Sequence, residues 1–167
     1  DYPERVTCNG GRYMFDDDQE TPDTSVAFYD YGREKGALSW ENSSSHRRKP
    51  RSAPFVSVVG DGGKMDFSSS NYTVYDRDGK EIAKNTEKAS DIPHFTNFAN
   101  SIRVGEPLNQ PIDDAQIGAM LCHYANMAYR TSGTLQIDPK TGQLVKGQPE
   151  AEKLWARPAY REGFEIG

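Results

Sequence analysis

Cysteine is nearly absent: Cys8 and Cys122 are the only two in 167 residues, too far apart in sequence to suggest a disulfide framework or a zinc-ligand spacing. Free, buried thiols are the expectation. Histidine is as scarce, and His46, His94 and His123 share no metal-binding spacing. Apolar residues make up 35% of the chain and mean hydropathy is -0.83. Roughly 45–50% apolar, glycine included, is usual for a domain of this size, so the buried surface must be thin or concentrated. No stretch approaches the ~20 consecutive apolar residues of a membrane span, and no charged-then-apolar leader precedes the first strand-like segment. A membrane protein and a visible secretion signal are therefore not expected. The chain opens on Asp1 rather than Met, which raises processing or truncation. Basic residues are outnumbered, 20 to 25, and the net charge of -5 argues against bulk affinity for nucleic acid. Also missing are a Gly-x-Gly-x-x-Gly after a strand, a Walker loop, a Gly-x-Ser-x-Gly elbow and any metal-ligand cluster. By chemistry alone the chain nominates no complete catalytic site.

What is present divides by period. Residues 5–8 and 12–15 flank Asn9-Gly10-Gly11, a hairpin or bulge signal. Strand-like segments follow at 25–31, 37–41, 55–59, 64–67, 72–75 and 80–82, with turns at Gly60-Asp61-Gly62-Gly63 and Asp76-Arg77-Asp78-Gly79. Strands joined this tightly pair antiparallel, because a parallel pair needs a crossover of a dozen or more residues. The second half is helical. Phe95, Phe98 and Ile102 recur at helical spacing between Asp91 as N-cap, Pro93 in the first turn and Gly105 beyond the end. A longer helix starts at Asp113, which forms a capping-box-like pair with Gln116, and ends before Gly133 with Ile117, Leu121, Tyr124 and Ala128 as its apolar stripe. Residues 134–137 read as a strand and 149–156 as a short helix burying Leu154 and Trp155, and Tyr160 and Phe164 anchor an extended tail. The pattern predicts one α+β domain, an open and mainly antiparallel sheet with helices packed on one face: a sheet-forming part at 1–84, a helical part at 91–132 and a C-terminal strand, helix and tail at 134–167.

Several phrases together resemble one family. They are Gly10-Gly11-Arg12-Tyr13 with the run from Asp16 to Thr24, Trp40-Glu41, Gly60-Asp61-Gly62-Gly63, and Tyr72-Thr73-Val74-Tyr75 with the turn after it. The most specific block runs from His94-Phe95-Thr96-Asn97-Phe98 through Cys122-His123-Tyr124-Ala125-Asn126-Met127-Ala128-Tyr129-Arg130 to Leu135-Gln136-Ile137-Asp138-Pro139. In this order they resemble the C-terminal domain of Gfo/Idh/MocA oxidoreductases, the glucose-fructose oxidoreductase and inositol dehydrogenase family. The resemblance implies a dihydrodipicolinate-reductase-like C-terminal fold, a companion N-terminal Rossmann domain holding NAD or NADP, a sugar or polyol substrate, and homo-oligomer contacts through the sheet. The family's Glu-Lys-Pro lysine and Asp-x-Gly-x-His histidine have no counterpart in these residues. The chain alone is therefore expected to hold no cofactor and to be inactive, because hydride transfer needs a dinucleotide and a proton acceptor. The compartment the resemblance suggests is the cytoplasm, with export by an upstream signal as the alternative.

Substrate-binding candidates are Asp17, Glu20, Trp40, Glu41, His46 and His123; anion or interface candidates are Arg47, Arg48 and Arg130. Each has a second reading. The acidic run from Asp16 to Asp23 is either a hydroxyl-binding edge or a solvated loop. Trp40 either stacks on a sugar ring or fills the core. The basic cluster from His46 to Arg51 meets an anion or only solvent, and RNA binding is the weakest option. His123, Asn126 and Arg130 share one helix face, open to a partner, a pocket or a structural role. A non-catalytic carbohydrate-binding or self-association module is the alternative for the whole chain.

Overall fold

The computed structural model describes residues 1–44, 53–68, 71–85, 90–156 and 159–164. Strands β1 (Arg5–Gly11), β2 (Thr24–Asp30), β3 (Ala37–Ser43), β4 (Val56–Gly60), β5 (Gly63–Phe67), β6 (Tyr72–Tyr75) and β7 (Glu81–Lys84) precede helices α1 (Ile92–Val104) and α2 (Ile112–Thr131). Strand β8 (Leu135–Gln136) and helix α3 (Pro149–Trp155) follow. The α+β class and the open antiparallel sheet are as expected. The strands form two four-stranded sheets, ordered β3-β2-β1-β8 and β4-β5-β6-β7, in two compact units.

The first unit comprises residues 1–47 and 111–167. In its sheet, Val6 and Cys8 of β1 lie beside Tyr29 and Ala27 of β2, and this face is buried. Helix α2 packs across β1 and seals the face with Tyr124, Met127 and Ala128; Leu135 and Ile137 close the far edge. Tyr124 is fully buried, its hydroxyl donates to the Gly142 carbonyl at 2.6 Å, and its ring stacks on Trp155 of α3. Tyr29 donates in the same way to the Leu121 carbonyl at 3.0 Å. Burial pushes the Tyr124 phenol up to about 12 and raises Tyr29 as well. Gln148 clamps the connection to α3, accepting from the Gln136 N–H at 2.8 Å and donating to the Gln136 and Val145 carbonyls. Among the described residues the opposite face of the sheet is open, with Val26 and Phe28 at its centre, 45% and 46% exposed.

The second unit spans residues 48–110 and contains the β4 to β7 meander and α1. Its turns form as their sequences dictate: Gly79 adopts φ +81, and Asp76 Oδ1 accepts the N–H groups of Asp78 and Lys80. Val58, Met65, Val74 and Ala83 fall in register across the four strands.

Some local expectations need correction. Residues 12–15 are not a strand. Gly10 and Gly11 continue β1, where a Cβ on Gly10 would lie 2.3 Å from the Thr24 carbonyl oxygen, so these glycines admit a close neighbour rather than a turn. The α1 stripe of Phe95, Phe98 and Ile102 faces outward, while Asn97 is the buried residue of that helix. Helix α2 starts at Ile112 with Pro111 as its N-cap, so the Asp113–Gln116 box does not form, and Ser132 ends it in the left-handed region at φ 51. Leu154, Tyr160 and Phe164 are exposed rather than buried anchors. Cys8 is buried but Cys122 is exposed, and both thiols are free. Among the described residues, no helix is long and apolar enough to cross a membrane, and no cluster of His, Cys, Asp and Glu is arranged to hold a metal.

Candidate functional site

Three of the residues singled out for chemistry, Asp17, Glu20 and Arg130, gather where β1 ends and β2 begins. Between these strands, residues 12–23 form a loop organised by one carboxylate. Asp23 is fully buried, and its Oδ2 accepts the N–H groups of Tyr13 and Met14 at 2.9 Å and of Phe15 at 3.4 Å. The Asp23 N–H donates to the Gly11 carbonyl, and the Asp23 carbonyl accepts from the Ser44 N–H. The Met14 N–H first, joined by the Thr24 side chain and the Tyr13 and Phe15 N–H groups, holds the Asp23 carboxyl below the usual carboxylate range against the opposing effect of burial.

That anchor makes the loop a fixed display. Tyr13, Met14 and Phe15 project outward at 73%, 66% and 45% exposure. Beside them the Arg12 guanidinium donates to the Phe15 carbonyl and pairs with Asp17, which also accepts the Gln19 N–H at 2.9 Å. Glu20 reaches across to the last turn of α2, where Arg130 Nη2 meets its Oε2 at 2.7 Å. The structure thus joins Asp17, Glu20 and Arg130 at one end of the sheet. Both carboxylates keep free lone pairs and lie at the surface, where hydroxyl groups of a polyol can donate to them.

The other candidates lie elsewhere. His123 is exposed on the α2 face that carries Arg130, two turns toward the helix start, a rise of about 10 Å. Trp40 and Glu41 are neighbours in β3, and strand alternation sends them to opposite faces. Trp40 falls beside Ala27 on the helix-covered face but stays 45% exposed at the edge strand, whereas Glu41 falls beside Val26 on the open face. His46, Arg47 and Arg48 lie outside the described residues. Sequence reading missed Arg12 and the anchoring role of Asp23; an aspartate directly before a strand, closing a polar loop, was the available signal.

The described residues do not form the fold that holds a dinucleotide. A dinucleotide fold needs a strand that enters a helix through a glycine-rich turn, within a parallel sheet. Every strand pair among the described residues is antiparallel, and α1, α2 and α3 begin at proline-flanked positions.

No family model and no curated protein matches the sequence. Solved structures do. The crystal structure of "a putative oxidoreductase from Klebsiella pneumoniae" superposes on 92% of this chain with a TM-score of 0.59 at 13% identity, and 47% of that protein is covered. One from Bacteroides fragilis, with the same description, superposes on 81% with a TM-score of 0.55 at 15% identity and is 45% covered. The fold is that of one half of these proteins. The chain spans about half the length of the solved structures it matches, and at such identity the likeness establishes fold alone.

Proposed function

We propose that this chain is the C-terminal, substrate-side and oligomerisation domain of an NAD(P)-dependent oxidoreductase acting on a sugar or polyol. One observation carries the reading: nearly the whole chain takes the fold of one half of a protein named as an oxidoreductase. The antiparallel topology supports a division of labour in which a companion Rossmann domain binds NAD or NADP and supplies the lysine and histidine that move the hydroxyl proton. This chain then binds and orients the substrate. Asp17 and Glu20 accept hydroxyl hydrogens at the end of the sheet, held in place by Arg12 and Arg130. Trp40, Glu41, His46 and His123 are further substrate contacts in this reading, and Arg47 and Arg48 meet an anionic group or a partner. The open face around Val26 and Phe28 is the surface for a second copy. The reading carries the cytoplasm as compartment, with export as its alternative.

The test is steady-state oxidation of a sugar and polyol panel with NAD+ and NADP+ by the full-length encoded protein. Glu20→Gln is expected to raise KM for the sugar about tenfold, with a smaller change in kcat, because a charged hydrogen bond to bound substrate is lost. An unchanged KM in both Glu20→Gln and Asp17→Asn removes this loop from the substrate site.

A further inference from the structure

The second unit contains a cleft that plays no part in the reading above. It has a volume of about 590 Å³ and opens between two turns, β4–β5 and β6–β7. Its walls are Val59, Gly60, Gly63 and Lys64 on one side and Tyr75, Asp76, Arg77 and Gly79 on the other. Glycine is what lets the turns come together. Gly63 has φ +138, and a Cβ there would lie 2.1 Å from the Tyr75 carbonyl oxygen, so any other residue would push β5 away from the end of β6.

The charges in the cleft are not equivalent. Asp76 Oδ1 is already engaged by the N–H groups of Asp78 and Lys80, at 3.0 and 2.9 Å. Lys64 is shared between Asp66 at 2.6 Å and the face of the Tyr75 ring, 4.9 Å from its centroid. Arg77 differs. Its Nε–H donates to the Asp61 carbonyl, which ties the base of the guanidinium to the opposite turn, and among the described residues its two Nη groups have no partner. A guanidinium held by Nε with both Nη groups unclaimed is a fork matched to two oxygens of one anion. Lys64 is balanced by its ion pair with Asp66, so Arg77 is the cation of the lining left to meet an anion, with the Asp76 carboxylate turned to its own N–H partners.

We infer that the cleft between the β4–β5 and β6–β7 turns binds a small oxyanion, the phosphate or carboxylate group of a metabolite, through the Arg77 fork. The site is separate in residues from the loop proposed for the sugar, so either can fail without the other.

The experiment is a titration of the ¹⁵N-labelled chain with sodium phosphate, and separately with sodium acetate, at ionic strength matched with chloride. The expected result is saturable movement of the Gly60, Gly63 and Gly79 amide signals with at least one of the two anions. Response to phosphate alone assigns a phosphoryl ligand, and response to acetate assigns a carboxylate. Arg77→Gln is expected to weaken that binding about tenfold, the loss of a charge-assisted pair. Val59→Asp is the second variant: Val59 is 75% exposed, so its replacement leaves folding intact while placing a negative charge on the cleft wall. It is expected to weaken binding similarly. Non-saturating shifts spread over surface lysines, or saturable binding that survives both variants, would overturn the site.

Discussion

At the scale of single residues, burial of hydrogen-bonding groups does most to fix the first unit. Asp23 carries no exposed surface yet organises the whole β1–β2 loop through the N–H groups of Tyr13, Met14 and Phe15. Its carboxyl is held below the ordinary value of 3.8. Its contribution is therefore complete above that value and is lost as pH falls through the lower, folded-state one. Asp23→Asn is expected to lower Tm at neutral pH, to speed proteolytic cutting within residues 12–22, and to flatten the acid limb of the stability profile; an unchanged acid limb would show that another carboxylate dominates it. Tyr124 works at the alkaline end. Its folded-state value of about 12 means that its stabilisation is full below the ordinary 10.0 and disappears as pH rises toward 12. Tyr124→Phe leaves the Gly142 carbonyl without its donor, and equilibrium urea unfolding at pH 7 is expected to show a loss of about 1–2 kcal/mol.

At the scale of elements, α1 depends on polar anchoring more than on its apolar stripe. Asn97 Nδ2 donates to Glu106 Oε1 and the Pro107 carbonyl, and its Oδ1 accepts the Asn109 N–H, each at 2.9 Å. Asn97→Ala is expected to release this segment, read as faster hydrogen exchange at the Asn109 amide while the α2 amides keep their protection; unchanged exchange at Asn109 would show that the segment holds itself. This helix also marks the limit of sequence reading. Its position, Pro93 and the Gly105 stop were legible because local chemistry sets them. Which face is buried was not, since periodicity reveals an amphipathic helix without revealing what covers it. The turn at 76–79 was legible because Asp76 and Gly79 act within four residues of each other, whereas the loop at 12–23 was not, because its anchor lies up to ten residues from the groups it binds. Trp40 and Glu41 are both substrate-binding candidates by residue type, but as neighbours in a strand they place their side chains on opposite faces. The α2 stripe was read well at Tyr124 and Ala128, but Met127, one turn after Tyr124 and next to Ala128, joins the core unannounced.

At the scale of the whole molecule, the low apolar content has a structural counterpart. Among the described residues the buried apolar core belongs to the first unit, under α2, while several large apolar side chains of the second, Val59, Phe95 and Ile102 among them, stay exposed. Val26 and Phe28 on the uncovered sheet face are the clearest case in that unit, flanked by Thr7, Asn9, Ser39 and Glu41. Such a surface favours association. Light scattering over a hundredfold concentration range is expected to show a dimer or larger assembly that Phe28→Asp shifts toward monomer; a monomer at every concentration would remove the sheet face as an interface. The proposed substrate-side role rests on the same division into halves, since the described loop at the end of this sheet offers hydroxyl acceptors. The most direct measurement is NAD(P)H formation at 340 nm with a sugar and polyol panel, run in parallel on the full-length encoded protein and on the 167-residue chain. The full-length protein is expected to turn over and the isolated chain to be silent with every substrate. Turnover by the 167-residue chain alone, or a full-length protein without a dinucleotide-binding half, would contradict the proposed role.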